Sequence, residues 1–144
     1  MRWCEPVPSI EPTSQQLQQL TAAADDGTPI VMVNLLRYRA RAVYPPDADS
    51  APCSGREAYQ RYGAGVTPIL AEAGARIVWF GSVKQIVIGP DAERWDDAIL
   101  VQYPSRSAFL GMVSRPDYGQ IAIHRTAALA DSRLIMTVTA AGGF

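Results

Sequence analysis

The chain has 144 residues, of which 48% are hydrophobic and 19% are charged, and its formal net charge is −1. This length suits one domain with a sizeable core, and the near-neutral charge gives no electrostatic support for nucleic-acid binding. Because we find neither a run of roughly 20 apolar residues nor the apolar segment of a secretory signal, we expect a cytoplasmic protein without a membrane partner.

The N-terminal residues are predicted to be extended. Residues 1–12 contain three prolines and are predicted to form an arm, whereas residues 13–144 are predicted to form one domain. Thr13 and Gln16 have the spacing of a capping box, which predicts a short amphipathic helix that ends near Asp25.

The next segment, residues 30–38, is predicted to be the first strand. It is apolar on both faces, which is typical of a central strand covered on both sides. Alternation places Asn34 and Tyr38 on one face and Arg37 on the other. Residues 39–53 are rich in proline and aspartate and are predicted to form a loop.

A second capping box, formed by Ser54 and Glu57, predicts the start of the longest helix. Pro68 is predicted to kink this helix and Gly74 to end it. Residues 76–88 are then predicted to form a long strand, bent or bulged near its glycine.

In the last third of the chain, the sequence predicts two strands and two helices. Residues 97–103 are predicted to form a strand, and Ser105 caps the short helix that follows. Pro116 is placed in the first turn of another helix, where proline is tolerated. Residues 133–139 are predicted to form the final strand.

After the first helix, the predicted order of elements is β-α-β-β-α-β. This order is that of the ferredoxin-like α+β fold, a four-stranded antiparallel sheet with its helices on one face. The other face would be bare in a single chain, although the predicted strands are apolar on both sides. We therefore predict a homodimer in which two sheets pack face to face into a barrel.

The residues that carry a family resemblance run through most of the chain. They are residues 29–38, 55–59, 62–63, 95–96, 103–106, 127–129 and 131–134, with Phe109, Met112, Tyr118 and Arg125 between them. In order and spacing they resemble an uncharacterised bacterial domain-of-unknown-function family of the dimeric α/β-barrel superfamily. Similar superfamily members include cofactor-independent monooxygenases, muconolactone isomerases, haem-binding enzymes and stress or binding proteins. The resemblance therefore implies the fold and does not select one chemistry.

Arg125 is the strongest pointer to a functional site. It falls about 20° from Tyr118 on a helical wheel, within an apolar stripe that should face the sheet. An arginine aimed at a core requires a carboxylate, a ligand anion or solvent. One interpretation is an anchor for a carboxylate or enolate, and the other is a structural ion pair with Asp96, Asp97 or Glu57.

Two further residues are candidates for proton transfer. His124 is the only histidine, which makes it the natural general base or haem ligand, although a histidine on a helix flank is more often simply half-exposed. Asp96 would be a base if it were desolvated, and it would otherwise cap the strand or pair with Arg125.

Aromatic and amide side chains predict the walls of a pocket between the helices and the sheet. The predicted substrate-binding residues are Asn34, Tyr62, Trp79, Tyr103 and Tyr118. Side chains of these types around an apolar pocket suit a phenolic substrate that reacts as its anion. The alternative is that the aromatic residues are core or interface residues.

These residues lead to one main functional hypothesis and two alternatives. The main hypothesis is a small-molecule-binding homodimer, with cofactor-independent oxygenation or isomerisation of a small carbonyl or phenolic compound as its chemistry. The alternatives are a non-catalytic binding or stress-associated dimer and a haem protein with His124 as axial ligand. No nucleotide-binding, hydrolase or zinc-protease motif occurs, the two cysteines are predicted to be free thiols, and we predict neither a cofactor nor a metal site.

Overall fold

The computed structural model describes residues 7–23 and 26–142. Within these ranges the elements are α1 (Ser14–Ala22), β1 (Ile30–Tyr38), α2 (Gly55–Glu72), β2 (Arg76–Ser82), β3 (Asp97–Tyr103), α3 (Arg106–Val113), α4 (Pro116–Ala128) and β4 (Leu129–Thr137). The first half of the predicted arm, with Cys4, and the predicted helix end at Asp25 lie outside the described residues. Cys53 is buried and its thiol is free.

Both predicted capping boxes form. The Thr13 hydroxyl accepts a hydrogen bond from the Gln16 amide at 3.1 Å, and the Gln16 side chain accepts one from the Thr13 amide at 2.9 Å. Ser54 and Glu57 make the same reciprocal pair at 3.0 and 3.2 Å. Each pair satisfies amide groups that the first turn of a helix leaves without partners, so local sequence fixes where α1 and α2 begin.

The strands form one antiparallel sheet in the order β2-β3-β1-β4. With the β-α-β-β-α-β order of elements after α1, this is the predicted ferredoxin-like α+β fold, which is therefore confirmed. Helix α2 continues past Pro68 to Glu72, and Gly74, at a φ of 73°, takes the left-handed conformation expected after its end.

Two predicted strand boundaries are wrong. The strand expected over residues 76–88 ends at Ser82, and its irregularity lies between Ile77 and Trp79. Ser82 pairs with the first residue of β3, Asp97, so the chain beyond Ser82 has no neighbouring strand to pair with. β4 begins at Leu129, directly after α4 and four residues before the predicted start.

The two faces of the sheet have different environments. The helix-facing side packs against the helices to form the buried core, which includes Leu36 and Leu129 with no exposed surface. The opposite side, which we call the outward face, carries apolar side chains that no described segment covers, such as Trp79 and Ile135. None of the described helices combines the length and apolar character that crossing a membrane requires.

Candidate functional site

A cavity of about 1260 Å³ lies between the helices and the helix-facing side of the sheet. Residues 9–12 and α1 border one side of it. Its apolar lining includes Met32, Val66, Leu70, Ile99, Val101 and Met112. A large, mainly apolar cavity with a few polar groups is the usual form of a small-molecule site.

A line of four aromatic rings, which we call the tyrosine row, crosses the cavity lining from the sheet to the helices. It consists of Tyr38 on β1, Tyr59 and Tyr62 on α2, and Tyr118 on α4. Successive ring centroids are 5.4, 5.3 and 6.3 Å apart. These are favourable aromatic packing distances, and the row gives the cavity a continuous wall with polar tips.

At one end of the row, the hydroxyl groups of Tyr62 and Tyr118 share a hydrogen bond of 3.2 Å. Burial, followed by the nearby Tyr118, raises the pKa of Tyr62 far above its ordinary value. The phenol of Tyr62 therefore keeps its proton near neutral pH, and this pair can donate a hydrogen bond into the cavity.

At the other end of the row, Tyr38 donates a hydrogen bond of 2.6 Å to Oδ2 of Asp97. Nη1 of Arg56 donates to the same oxygen at 3.0 Å, and its guanidinium lies 4.7 Å from the centre of the Tyr38 ring. Asp97 is only 1% exposed, and its Oδ1 has no hydrogen-bond partner within the described part of the chain. Burial and then the hydrogen bond to Asp97 raise the pKa of Tyr38.

Arg125 lies in the cavity lining with 14% of its side chain exposed. Its Nη1 donates to the carbonyl oxygen of Ile10 at 2.7 Å and lies 4.0 Å from the carboxylate of Glu11. The same segment is held on β4, where the amide of Ser9 donates to the side chain of Asp131 at 2.9 Å. Arg125 thus links the N-terminal segment to the cavity.

The structure brings five of the predicted site residues together in the cavity lining: Asn34, Tyr62, Tyr103, Tyr118 and Arg125. Asn34 donates long hydrogen bonds to the carbonyl oxygens of Met32 and Ile99, at 3.3 and 3.4 Å. Its side chain is therefore braced against the sheet at the floor of the cavity.

The other three predicted site residues lie outside this lining. Trp79 pairs with Leu100 on the outward face and is 53% exposed. His124 shares a 2.6 Å hydrogen bond with Tyr44, and burial followed by the charge of Arg61 lowers its pKa.

The carboxylate of Asp96, the third of these residues, accepts a hydrogen bond from the amide of Tyr38 at 2.8 Å. This contact holds the end of β1, whereas the sequence suggested that Asp96 caps the entry of β3. Catalytic roles for Asp96 and His124 stay predictions.

The structural ion pair considered for Arg125 is not formed with the carboxylates that the sequence suggested. Asp97 pairs with Arg56, and Glu57 accepts a hydrogen bond from the amide of Ser54, the residue before α2. Asp96 is held by the amide of Tyr38.

Three cavity residues were missed by the sequence analysis: Arg56, Tyr59 and Asp97. A signal for each was present. Arg56 and Tyr59 are three residues apart and Tyr62 follows three later, which is the spacing of one helix face. Asp97 alternates with Ile99 and Val101 and so shares their inward face.

The arrangement suits hydrogen bonding and anion recognition. Across the described ranges, no group of three or more His, Cys, Asp or Glu side chains is placed to hold a metal ion. The polar groups of the cavity lining are phenols, guanidinium groups, serine and threonine hydroxyls, the amides of Gln16, Asn34 and Gln60, and the carboxylates of Asp97 and Glu11.

Comparisons with known proteins agree with this fold. A family model described as a domain of unknown function (DUF1330) matches residues 52–139. The crystal structure of a protein of unknown function from Rhodopseudomonas palustris is 38% identical, with a TM-score of 0.85 over 92% of this chain and 98% of that chain. The structure of the methylated form of that protein is also 38% identical, with a TM-score of 0.87 over 96% and 100%.

A more distant likeness is to the hydroxynitrile lyase of Passiflora edulis, which is 11% identical with a TM-score of 0.53 over 80% of this chain and 96% of that chain. That likeness shows the fold alone. No curated protein shows significant similarity to the chain. The resemblance found in the sequence is confirmed, and the chain belongs to the DUF1330 family of proteins with a domain of unknown function.

Proposed function

We propose that the chain binds a small organic acid or carbonyl compound in the cavity, with Arg125 as the anchor for its negative oxygen. The observation that carries this proposal is the position of the Arg125 guanidinium, largely buried in the cavity lining and 4.0 Å from the carboxylate of Glu11. A separation of 4.0 Å is an ion pair but is too long for a hydrogen bond, and the hydrogen bond that the guanidinium does make goes to the neutral carbonyl of Ile10, so Arg125 has no hydrogen-bonded carboxylate within the described residues. A guanidinium can bind a carboxylate through two parallel hydrogen bonds.

The rest of the cavity complements such a ligand. The hydroxyl pair of Tyr62 and Tyr118 can donate to a carbonyl or carboxylate oxygen, and both rings belong to the same cavity wall as Arg125. The apolar floor would bury the hydrocarbon part of the ligand, at about 25 cal/mol for each Å² removed from water. Aromatic compounds gain additional contacts with the tyrosine row.

Oxygenation or isomerisation of the bound compound is the chemistry that we propose to test once a ligand is found. The haem alternative gains no support from the geometry, because the only histidine, His124, contacts Tyr44 and lies outside the cavity lining. Among the described residues that line the cavity, Asp97 is the only carboxylate on the sheet.

We also propose that the outward face forms a homodimer interface. Trp79 on β2 and Ile135 on β4 are about half exposed, so large apolar side chains on both edge strands of this face meet solvent in a single chain. A second copy of the same face would cover them in a twofold dimer. Sedimentation of the wild type and of Trp79→Glu tests this, with Val7→Glu, an exposed residue of the N-terminal segment, as the matched control. A monomeric wild type at micromolar concentration would refute the dimer.

Binding can be tested by thermal unfolding with benzoate, phenylacetate and their neutral amides as ligands. A ligand that binds only the native state stabilises it by about 2.7 kcal/mol at a hundredfold excess over Kd. We expect the acids to raise the Tm of the wild type and of the exposed control Arg94→Ala, but not that of Arg125→Ala. Equal shifts in Arg125→Ala and Arg94→Ala would show that Arg125 is not the anchor.

A further inference from the structure

The hydroxyl protons of the tyrosine row are distributed unequally between its two ends. Tyr38 has one proton to donate, and the 2.6 Å hydrogen bond to Oδ2 of Asp97 uses it. Asp97 is nearly inaccessible, and Arg56 supplies a second donor to the same oxygen. A hydrogen bond to a buried carboxylate is among the stronger ones in proteins. The hydroxyl proton of Tyr38 therefore points toward Asp97 and is not available to the cavity. The oxygen of Tyr38 can therefore only accept a hydrogen bond from a molecule in the cavity.

The other end of the row has the opposite character. Tyr62 and Tyr118 have two hydroxyl protons, and their mutual hydrogen bond uses one of them. The second proton is available to a molecule in the cavity. The guanidinium of Arg125 adds further donors and has no acceptor. This end can therefore bind a hydrogen-bond acceptor of the ligand, such as a carbonyl or carboxylate oxygen. A hydrogen-bond donor of the ligand placed here would be left unsatisfied.

Tyr59 lies between the two ends. Its ring is 5.4 Å from that of Tyr38 and 5.3 Å from that of Tyr62. Burial raises the pKa of Tyr59 to about 12, and both Arg125, which lowers it, and Asp97, which raises it, act on the same hydroxyl. Tyr38 at the accepting end and Tyr62, Tyr118 and Arg125 at the donating end line the same cavity.

The charge near Tyr38 restricts the donor further. The guanidinium of Arg56 lies 4.7 Å from the centre of the Tyr38 ring. The carboxylate of Asp97 pairs with this guanidinium, so the two charges largely cancel, and a ligand ammonium group would lose its hydration without a free counter-charge, a cost that a hydroxyl group does not bear. The donor that fits is a neutral O–H.

We propose that the natural ligand is a small hydroxy-substituted aromatic acid, with its hydroxyl donating to Tyr38 and its carboxylate at Tyr62, Tyr118 and Arg125. This inference rests on the proposed function and adds the class and orientation of the ligand. The two ends of the cavity distinguish donor from acceptor, so the ligand binds in one direction.

Calorimetric titration with matched ligands tests the inference. Three acids of increasing length, 4-hydroxybenzoate, 4-hydroxyphenylacetate and 4-hydroxycinnamate, are each compared with the 4-methoxy compound and with the acid that lacks the substituent. The methoxy group keeps the oxygen and removes the proton. We expect the best hydroxy acid to bind the wild type about tenfold more tightly than its methoxy partner, since that proton makes a buried hydrogen bond. We expect 4-(aminomethyl)benzoate to bind more weakly than benzoate.

The variant Tyr38→Phe removes the accepting oxygen and keeps the ring. In this variant we expect the hydroxy and unsubstituted acids to bind equally, because removing one hydrogen-bonding group from a ligand site affects mainly the ligand that uses it. Binding of the unsubstituted acid also shows that the variant is folded. Tyr44→Phe, at a tyrosine outside the cavity lining, is the control and should keep the preference for the hydroxyl group.

Failure of this inference can be told apart from failure of the proposed function. If unsubstituted acids bind and depend on Arg125, but the wild type does not distinguish hydroxy from methoxy, the inference is overturned and the proposed function stands. A hydroxyl preference that survives in Tyr38→Phe also overturns it. If none of the acids binds the wild type, both are refuted. The comparison on the wild type needs no variant to fold.

Discussion

The hydrogen bond between Tyr38 and Asp97 predicts a measurable difference between two Tyr→Phe variants of neighbouring rings. Tyr38→Phe removes the donor of a 2.6 Å hydrogen bond to a carboxylate that is 1% exposed. Hydrogen bonds to charged groups contribute about 1.5–3 kcal/mol to stability. Arg56 would be left as the partner of Oδ2, but its side chain is 53% exposed, so that ion pair compensates little.

We therefore expect Tyr38→Phe to lower the free energy of unfolding by about 2 kcal/mol, near the middle of that range. Tyr59→Phe is the matched control, because its ring lies 5.4 Å from that of Tyr38 and no hydrogen bond contributes to the pKa shift of its hydroxyl. We expect Tyr59→Phe to change the free energy by less than about 0.5 kcal/mol, as most substitutions without a lost partner do.

Urea unfolding followed by circular dichroism measures both variants. The protein concentration must be the same throughout, because a dimer becomes more stable as its concentration rises. Tyr38→Phe should shift the midpoint without changing the slope of the transition. An equal loss in the free energy of unfolding for the two variants would show that Tyr38 does not donate its proton to Asp97. It would also refute the ligand orientation derived from that hydrogen bond.

Three further predictions concern pH and backbone packing. Burial raises the pKa of Tyr59 to about 12 and also raises that of other cavity tyrosines, so above pH 10 the native state binds more protons than the unfolded state. The free energy of unfolding should therefore fall as pH rises beyond 10. Tyrosinate absorbance at 295 nm should appear at higher pH in the native protein than in the urea-unfolded protein. Desolvation and the charge of Arg61 lower the pKa of His124, so the stability that the neutral imidazole contributes is lost as pH falls below about 6.5. By proton NMR, this histidine should titrate below its ordinary value, and Arg61→Gln should raise the titration midpoint. An unchanged midpoint in Arg61→Gln would contradict the role of Arg61. A methyl group at Gly55 would lie 2.2 Å from the carbonyl oxygen of Arg39, so Gly55→Ala should destabilise the protein by about 3 kcal/mol, and a wild-type Tm for this variant would refute the close approach.

Local sequence determined most of the secondary structure. The alternation of residues 97–103 predicted the bounds of β3, because a strand buried on one face repeats every two residues. The capping boxes at Thr13 and Ser54 predicted the starts of α1 and α2, because their hydrogen bonds join residues only three apart. The order of these elements then predicted the fold.

Tertiary structure decided which side chains meet in the cavity. The strand irregularity between Ile77 and Trp79 inserts one residue, which turns Trp79 to the outward face and places Phe80 in the cavity lining. A shift of one residue exchanges the two faces of a strand, and composition alone does not reveal it. Neighbouring residues also differ at the start of β3. Asp96 holds the end of β1, whereas Asp97 lies in the cavity lining.

The contacts of Arg125 with residues far away in the chain were also not predictable from local sequence. Its helical position predicted that it would face the sheet, since that depends only on the 3.6-residue period. Its partners, Ile10 and Glu11, lie more than 110 residues away in the chain. Local sequence determines which face of an element a residue occupies, but the groups that meet there are fixed only when distant segments pack, because pairing and packing depend on the whole fold.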